Sequence, residues 1–304
     1  MIETTNNLTQ RTSYFKSVCL VLLLVSAATA LAGAELVAAD LISTSQGEHS
    51  PTFDATRNEL VFMRRTPGQF NYTLYTSKLI DGAWTDPKVL PFSGTYRDGG
   101  ASFSPDGGTL LFDSKRPVVG LPKNSINLWQ VKRLQQGWGK PEPLAVLSAN
   151  EPSESVAGRD EFGPIMTRSG EVLFYSFRQP NRAGSHYRGR PGEKPTAQID
   201  FPDPSQATFV GYLTLSADGR TAVIEGRSQT GRDTDLYYAC QTNGQWSEAE
   251  PLTAANSAAG DGTPYLSSDN QWLYFASDRI EAKGPSGEPN IYRINTRTLP
   301  IPCE

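Results

Sequence analysis

The chain has 304 residues, with 28 Lys or Arg against 32 Asp or Glu and a formal net charge of −4. Its basic residues are scattered, which excludes the electrostatic footprint of a nucleic-acid-binding surface. Only two histidines are present, His49 and His186, so a multi-histidine metal site is excluded, and the composition calls for no metal and no cofactor.

In chain order, residues 1 to 16 are polar and carry Arg11 and Lys16, and Val18 to Ala32 then runs apolar. That run is short for a membrane span. Ala32-Gly33-Ala34 supplies the small residues a signal peptidase accepts. The pattern predicts a signal peptide over 1–34 and a mature domain over 35–304, periplasmic or secreted, with no membrane span after cleavage. A retained N-terminal anchor is the alternative. Cys240 and Cys303 remain in the mature chain, where export makes a disulfide chemically possible. Their spacing leaves open whether they meet.

One unit then recurs five times. Its plainest copy is Ala101-Ser102-Phe103-Ser104-Pro105-Asp106-Gly107-Gly108-Thr109-Leu110-Leu111-Phe112, two short apolar strands around an Asp-Gly turn. The copies end on Phe62, Phe112, Phe174, Ile224 and Phe275, at spacings of 50, 62, 50 and 51 residues. A second hairpin follows in most copies. It opens on Tyr72 to Tyr75, Ile126 to Trp129, Asp235 to Tyr238 or Asn290 to Arg293, then passes Trp84, Trp138 or Trp246 to a strand carrying Pro and Leu. Two hairpins per unit make a four-stranded antiparallel sheet that cannot bury both faces alone, so the units pack radially. The predicted fold is all-β, a single five-bladed β-propeller with the tryptophans as packing. The fifth unit lacks its outer strand, and Ala39 to Ser45 resembles Pro251 to Asn256, so an N-terminal strand is expected to close the last blade.

The combination of Ser-Pro-Asp-Gly, Leu-x-Phe, Ser-x-Arg and Asn-Ile-Tyr resembles the WD40-like repeat of TolB-type propellers. Ser104 to Phe112 with Ser114 and Arg116 carry it best, followed by Ser267 to Phe275 with Ser277 and Arg279. The resemblance implies an envelope or secreted binding scaffold, and it covers nearly all of the mature chain. A six-bladed member with an added N-terminal domain departs from this chain on both counts, so its particular partners do not transfer.

Aligning the repeats places acids just before the first strand, at Glu48, Asp98, Glu161 and Asp261, with Val210 as the exception. Arg64, Arg65, Arg116, Arg178, Arg227 and Arg279 fall just after the second strand. Both sets belong to one mouth of the central channel. They form either structural acid–arginine forks or a polar site for a ligand or partner. Gln179 to Gln206 replaces the usual outer hairpin of the third unit with a Pro- and Gly-rich segment carrying His186 and Tyr187. Long segments on a rigid scaffold are common binding elements. The expected binding surface is therefore Glu48, His49, Asp98, Glu161, Asp261, Arg116, Arg178, Arg227, Arg279, His186 and Tyr187. No catalytic residue is assigned: no Gly-x-Ser-x-Gly elbow exists, and Cys240 sits in an apolar strand. The expected function is a monomeric, non-enzymatic scaffold that binds a protein, peptide or glycan of the cell envelope. The alternative is a propeller glycoside hydrolase or lyase using the mouth carboxylates.

Overall fold

The structure is a computed structural model describing Met1 and residues 33–65, 71–121, 124–147, 160–177, 184–195, 197–198, 207–228, 233–279 and 288–303. Residues 2–32 of the predicted leader lie outside this set. The described strands form five separate antiparallel sheets. From the channel outward, blade 1 is Glu48–Asp54, Glu59–Arg65, Tyr72–Ile80 and Lys88–Val89. Blade 2 is Asp98–Phe103, Thr109–Ser114, Asn127–Lys132 and Glu142–Pro143. Blade 4 is Ala207–Leu215, Thr221–Ser228, Thr234–Thr242 and Glu250–Pro251. Among the described residues the only helix is a single 3-10 turn, Thr296–Thr298, and none is long and apolar enough to cross a membrane.

Blade 3 departs from expectation. Its inner strands are Glu161–Met166 and Val172–Ser176, and the Pro- and Gly-rich stretch supplies a second hairpin after all. Ser185–Gly189 pairs with Val172–Ser176, and Ala197–Gln198 pairs outside it. Tyr187 stacks on Phe174 at 5.9 Å in the place where Tyr75 stacks on Phe62, so the third strand keeps its aromatic marker without the Asn-Ile-Tyr sequence.

Blade 5 consists of Asp261–Leu266, Trp272–Ser277, Asn290–Asn295 and, outermost, Glu35–Leu36. An N-terminal strand does close the ring, but it lies ahead of the stretch from Ala39 to Ser45. Leu36 pairs with Tyr292, and the Val37 amide donates to the Ile291 carbonyl as Leu90, Leu144 and Leu252 do to their own third strands. Ala39 to Ser45 is the turn that carries the chain from that strand to the channel.

The Ser-x-Asp turn explains why the repeat keeps its motif. Ser104 Oγ donates to Asp106 and accepts the Thr109 amide at 2.9 Å, while Asp106 accepts the Gly108 amide. Ser216 with Asp218 and Ser267 with Asp269 repeat the arrangement. A short polar side chain thus closes the tight turn that the alternating apolar strands require.

Every pair of neighbouring blades shares one apolar cluster. Val61, Met63 and Leu74 meet Phe103, Leu110 and Phe112 between blades 1 and 2, and Leu111 and Leu128 meet Val172 and Phe174 between blades 2 and 3. Val223 and Leu236 meet Leu273 and Phe275 between blades 4 and 5, and Leu60 and Phe62 meet Tyr274 and Ile291 between blades 5 and 1. Between blades 3 and 4 the cluster is thinner: among the described residues Leu173 is the only buried one that blade 3 contributes to it, against Leu213, Ala222, Ile224 and Ala239. The core of this fold is the set of seams, and one seam is weak.

The inner strands add a second link. Thr52 Oγ1 accepts the Phe103 amide, Ser102 Oγ donates to the Pro164 carbonyl, Thr214 Oγ1 accepts the Leu266 amide, and Tyr265 reaches Thr52. The same register position in blade 3 is Ile165, which has no hydroxyl to offer blade 4.

The C-terminus adds a staple. Cys240, in the third strand of blade 4, is bonded to Cys303, and the Cys303 amide donates to Thr221 Oγ1. Ile301 enters the cluster between blades 4 and 5. The tail of blade 5 is thereby tied back across blade 4. Closing a loop of sequence separation 63 restricts the unfolded chain by about 4 kcal/mol in the loop-entropy account. Cys303→Ser is expected to lower the unfolding free energy by about 2–4 kcal/mol in urea titrations, and reductant to do the same to the parent protein and nothing to the variant.

Candidate functional site

The four acids predicted at the mouth are fully buried, each at 0% exposure. In three blades the partners form one repeated unit, which we call the clasp. Glu48 takes Arg64 Nε at 2.8 Å together with the Thr44 amide and hydroxyl. Asp98 takes both terminal nitrogens of Arg116 and the hydroxyls of Ser93 and Ser114. Asp261 takes Arg279 at 2.6 Å with the Ser257 amide and hydroxyl. Each arginine also donates to a carbonyl of the segment entering its blade: Ile42, Phe92 or Ala255. Each guanidinium lies between two rings of its own blade. Arg64 sits over Phe62 and Tyr75, Arg116 over Phe112 and Trp129, and Arg279 over Phe275 and Tyr292. The signature residues of the repeat are therefore one physical object, a fork held in an aromatic slot. Burial pushes the Asp98 carboxyl up while Arg116, Ser93 and Ser114 pull it back. Thr44, Ser93 and Ser257 escaped the sequence reading. A hydroxyl four or five residues before each acid is the signal that could have found them.

In blade 3, Glu161 accepts from Ser176, and Arg178 lies outside the described residues. Blade 4 has Val210 at the acid position, and its Arg227 is exposed. In blades 1, 2 and 5 the predicted acids and arginines are thus taken up in clasps, each within its own blade. Tyr187 belongs to the core between blades 2 and 3. His186 is buried edge-on to Tyr175, and its Nε2, 2.7 Å from the Gly211 carbonyl, carries the proton in that bond. It links blade 3 to blade 4 where the hydroxyl link is missing. His49 points away from Glu48 and meets the edge of Tyr72 at 5.7 Å.

What converges on the channel is a different set. The second strands turn Asp113 and Glu225 toward the following blade, at the register positions held by Met63, Tyr175 and Ala276 elsewhere. Asp113 is clamped by Arg97 and accepts the Gly163 amide from blade 3. Glu225 accepts the Thr263 amide of blade 5 at 2.8 Å. Across the axis lies Tyr212, packed so tightly on Gly163 that a Cβ there would fall 2.4 Å from its ring, and electrically coupled to Asp113, Arg97 and Glu225. The inner strands bulge at this level in every blade. Ser50 and Thr263 are held at φ of +45° and +46°, a region costly for a β-branched side chain. Tyr212 plugs the channel, and only a void of about 20 Å³ remains beside it.

The mouth above the plug carries Arg97 over the rings of Tyr72 and Phe162, half-buried Phe177, and exposed Arg227. Desolvation pushes the Glu225 carboxyl up to about 7 although the Thr263 amide and Arg227 pull it down. It pushes the Tyr175 phenol up to about 12, helped by Glu225. Asp113 and Glu225 were missed in the sequence, where their signal is a carboxylate set into an otherwise apolar strand. No group of three or more metal-ligating side chains occurs among the described residues.

No protein-family model matches the chain, and no curated protein matches it. Solved structures do. A TolB from Acinetobacter baumannii is similar with 18% identity and a TM-score of 0.52 over 82% of this chain, which spans 55% of the length of that protein. A protein assigned as TolB from Agrobacterium tumefaciens is similar with 14% identity and a TM-score of 0.51, covering 84% of this chain and 79% of that one. The arabinanase Arb43A of Bacillus subtilis is similar with 14% identity and a TM-score of 0.52, covering 83% and 95%. The chain has a TolB-like β-propeller fold, a kind of fold found both in TolB proteins and in an arabinanase.

Two predictions arise from this geometry. Asp98→Ala strands a buried guanidinium and is expected to cost about 3–5 kcal/mol of stability by chemical denaturation, whereas Arg227→Ala, at an exposed site, changes it by less than about 0.5 kcal/mol. The second concerns pH. Burial lowers His49, with help from Arg65, and His186 from 6.5 to about 4, so the unfolded chain binds more protons in that window and stability falls as pH drops through it. Glu225 has the opposite sign. Raised from 4.5 to about 7, it stabilises fully below its unfolded value and loses that contribution as pH rises through 7. Thermal melts from about pH 5 to pH 8 are expected to show Glu225→Gln gaining on the parent protein as pH rises.

Proposed function

We propose that this protein is exported and acts as a binding scaffold, recognising a protein, peptide or glycan of the cell envelope with the mouth of its channel above the Tyr212 plug. The supporting observation is what the clasps leave over. The ring carboxylates are buried and engaged, so the mouth meets solvent with exposed Arg227, the half-buried arginine Arg97, and the rings of Tyr72, Phe162 and Phe177. Arginine and large aromatics on a rigid frame are the residues that anchor protein partners. The leader pattern of residues 1–34 supports export, as does a disulfide between Cys240 and Cys303.

One observation favours a hydrolase. Glu225, raised to about 7 by burial, can hold a proton near neutral pH, and a second buried carboxyl, Asp113, is ion-paired with Arg97; two carboxyls in unlike environments are what a hydrolase requires. Against it, both carboxyls are buried and already engaged, Asp113 by Arg97 and the Gly163 amide and Glu225 by the Thr263 amide. Binding is the better reading.

The test is crosslinking capture from envelope extract with the parent protein and a folded Arg227→Glu, Tyr72→Ala variant. A partner held by the parent and lost about tenfold by the variant, as when one good contact goes, is the expected outcome. Equal capture by both moves recognition off this mouth. Release of reducing sugar from envelope polysaccharide, abolished by Glu225→Gln, would establish the hydrolase reading instead.

A further inference from the structure

A second site lies at the other end of the channel, independent of the mouth. There the weak seam between blades 3 and 4 opens into a cavity of about 440 Å³, running from the channel axis outward to Trp246. Small-molecule sites occupy roughly 300–1,000 Å³. The cavity has a cause in the sequence. The last inner-strand residue is Phe53 in blade 1 and Phe103 in blade 2, and these fill their seams against Trp84 at 6.0 Å and Trp138 at 6.2 Å. In blade 4 the same register position is Leu215, opposite Ala222 where the others have Leu60 or Leu110, and in blade 3 it is Met166. Relative to the seams closed by Phe53 and Phe103, the side chains are shortened here while the tryptophan is kept.

The lining has a specific chemistry. Half-buried Trp246, Ile165, Met166 and Leu215 form an apolar wall. Polar groups of both hydrogen-bonding senses face it, including Gln241 and several serines. Arg168 and Arg188 line the cavity, both exposed, and among the described residues neither forms an ion pair. The acidic groups do not answer them. Asp218 is already held by Arg220 at 3.0 Å and by Ser216, which with the Arg220 amide keep its carboxyl down at about 2, and Glu171 takes the Ser169 hydroxyl. A lipid tail would leave the charges of Arg168 and Arg188 unanswered. A sugar ring presents a C–H face to an indole and hydroxyls that both donate and accept, and the two arginines offer forks to a carboxylate.

We propose that the cleft between blades 3 and 4 is a binding site for an acidic saccharide of about disaccharide size, with Trp246 stacking on a sugar ring and Arg168 and Arg188 holding its carboxylate. The site needs no partner and no catalysis at the opposite mouth.

The experiment titrates the full mature protein with digalacturonate and, as the neutral control, cellobiose, reading intrinsic tryptophan fluorescence and ligand-observed NMR. Saturable binding of digalacturonate is expected, with cellobiose weaker by about tenfold, the scale of one charge-assisted contact. Arg168→Ala with Arg188→Ala, both exposed and harmless to folding, is expected to remove that preference. Trp246→Ala is expected to abolish binding of both sugars, and Trp246→Phe, which keeps a ring, to retain it. Arg227→Glu at the far mouth leaves binding unchanged. Absence of saturable binding by either sugar overturns the proposal, as does equal affinity for the two. So does a folded double-arginine variant that binds digalacturonate as the parent does.

Discussion

Blades 1, 2 and 5 are each organised around a buried carboxylate at the head of the inner strand. An isolated charge in that position would be prohibitive, and even a paired one has a large desolvation cost to offset. The clasp offsets it by giving each acid a guanidinium and one or two hydroxyls, and each guanidinium a carbonyl and two aromatic faces. The acid, the second strand, the third strand and the incoming linker are thereby fixed to one another at a single point.

Where the clasp is missing, other irregularities gather. Blade 4 has Val210 for the acid, Tyr212 instead of a small residue at the bulge, and Glu225 in the strand that should be apolar. Its seam with blade 3 lacks the inner hydroxyl link and, among the described residues, much of its apolar filling, and His186 reaches across it to the Gly211 carbonyl. These changes fall on one blade and one seam of five. A repeat protein tolerates such departures because each unit is supported by two neighbours, and departures from a repeat mark the places where side chains serve something other than the repeat.

The architecture was legible because the repeat is periodic. Phe62, Phe112, Phe174, Ile224 and Phe275 do fall at equivalent points of five second strands, and the turns carry the residues the motif requires. The errors have physical causes. The closing strand was set too late because the turn from Val37 to Ile42 is two residues longer than its counterpart from Leu252 to Ala255. The outer hairpin of blade 3 was obscured by proline and glycine, which signal breaks but do not forbid a short edge strand. The acids and arginines were found as two rings, yet their burial was not legible, since it depends on hydroxyls at variable spacing. Tyr212 gave no local signal at all. Its role exists only once Ser50, Asp113 and Gly163, from three other blades, surround it.

That tyrosine makes the two ends of the axis separate compartments. Tyr212 stands between the mouth and the cleft, and the two share no lining residue, so under the readings proposed above their ligands would be held independently. Blades 3 and 4 each adjoin both surfaces, and blade 4 also supplies the tyrosine between them.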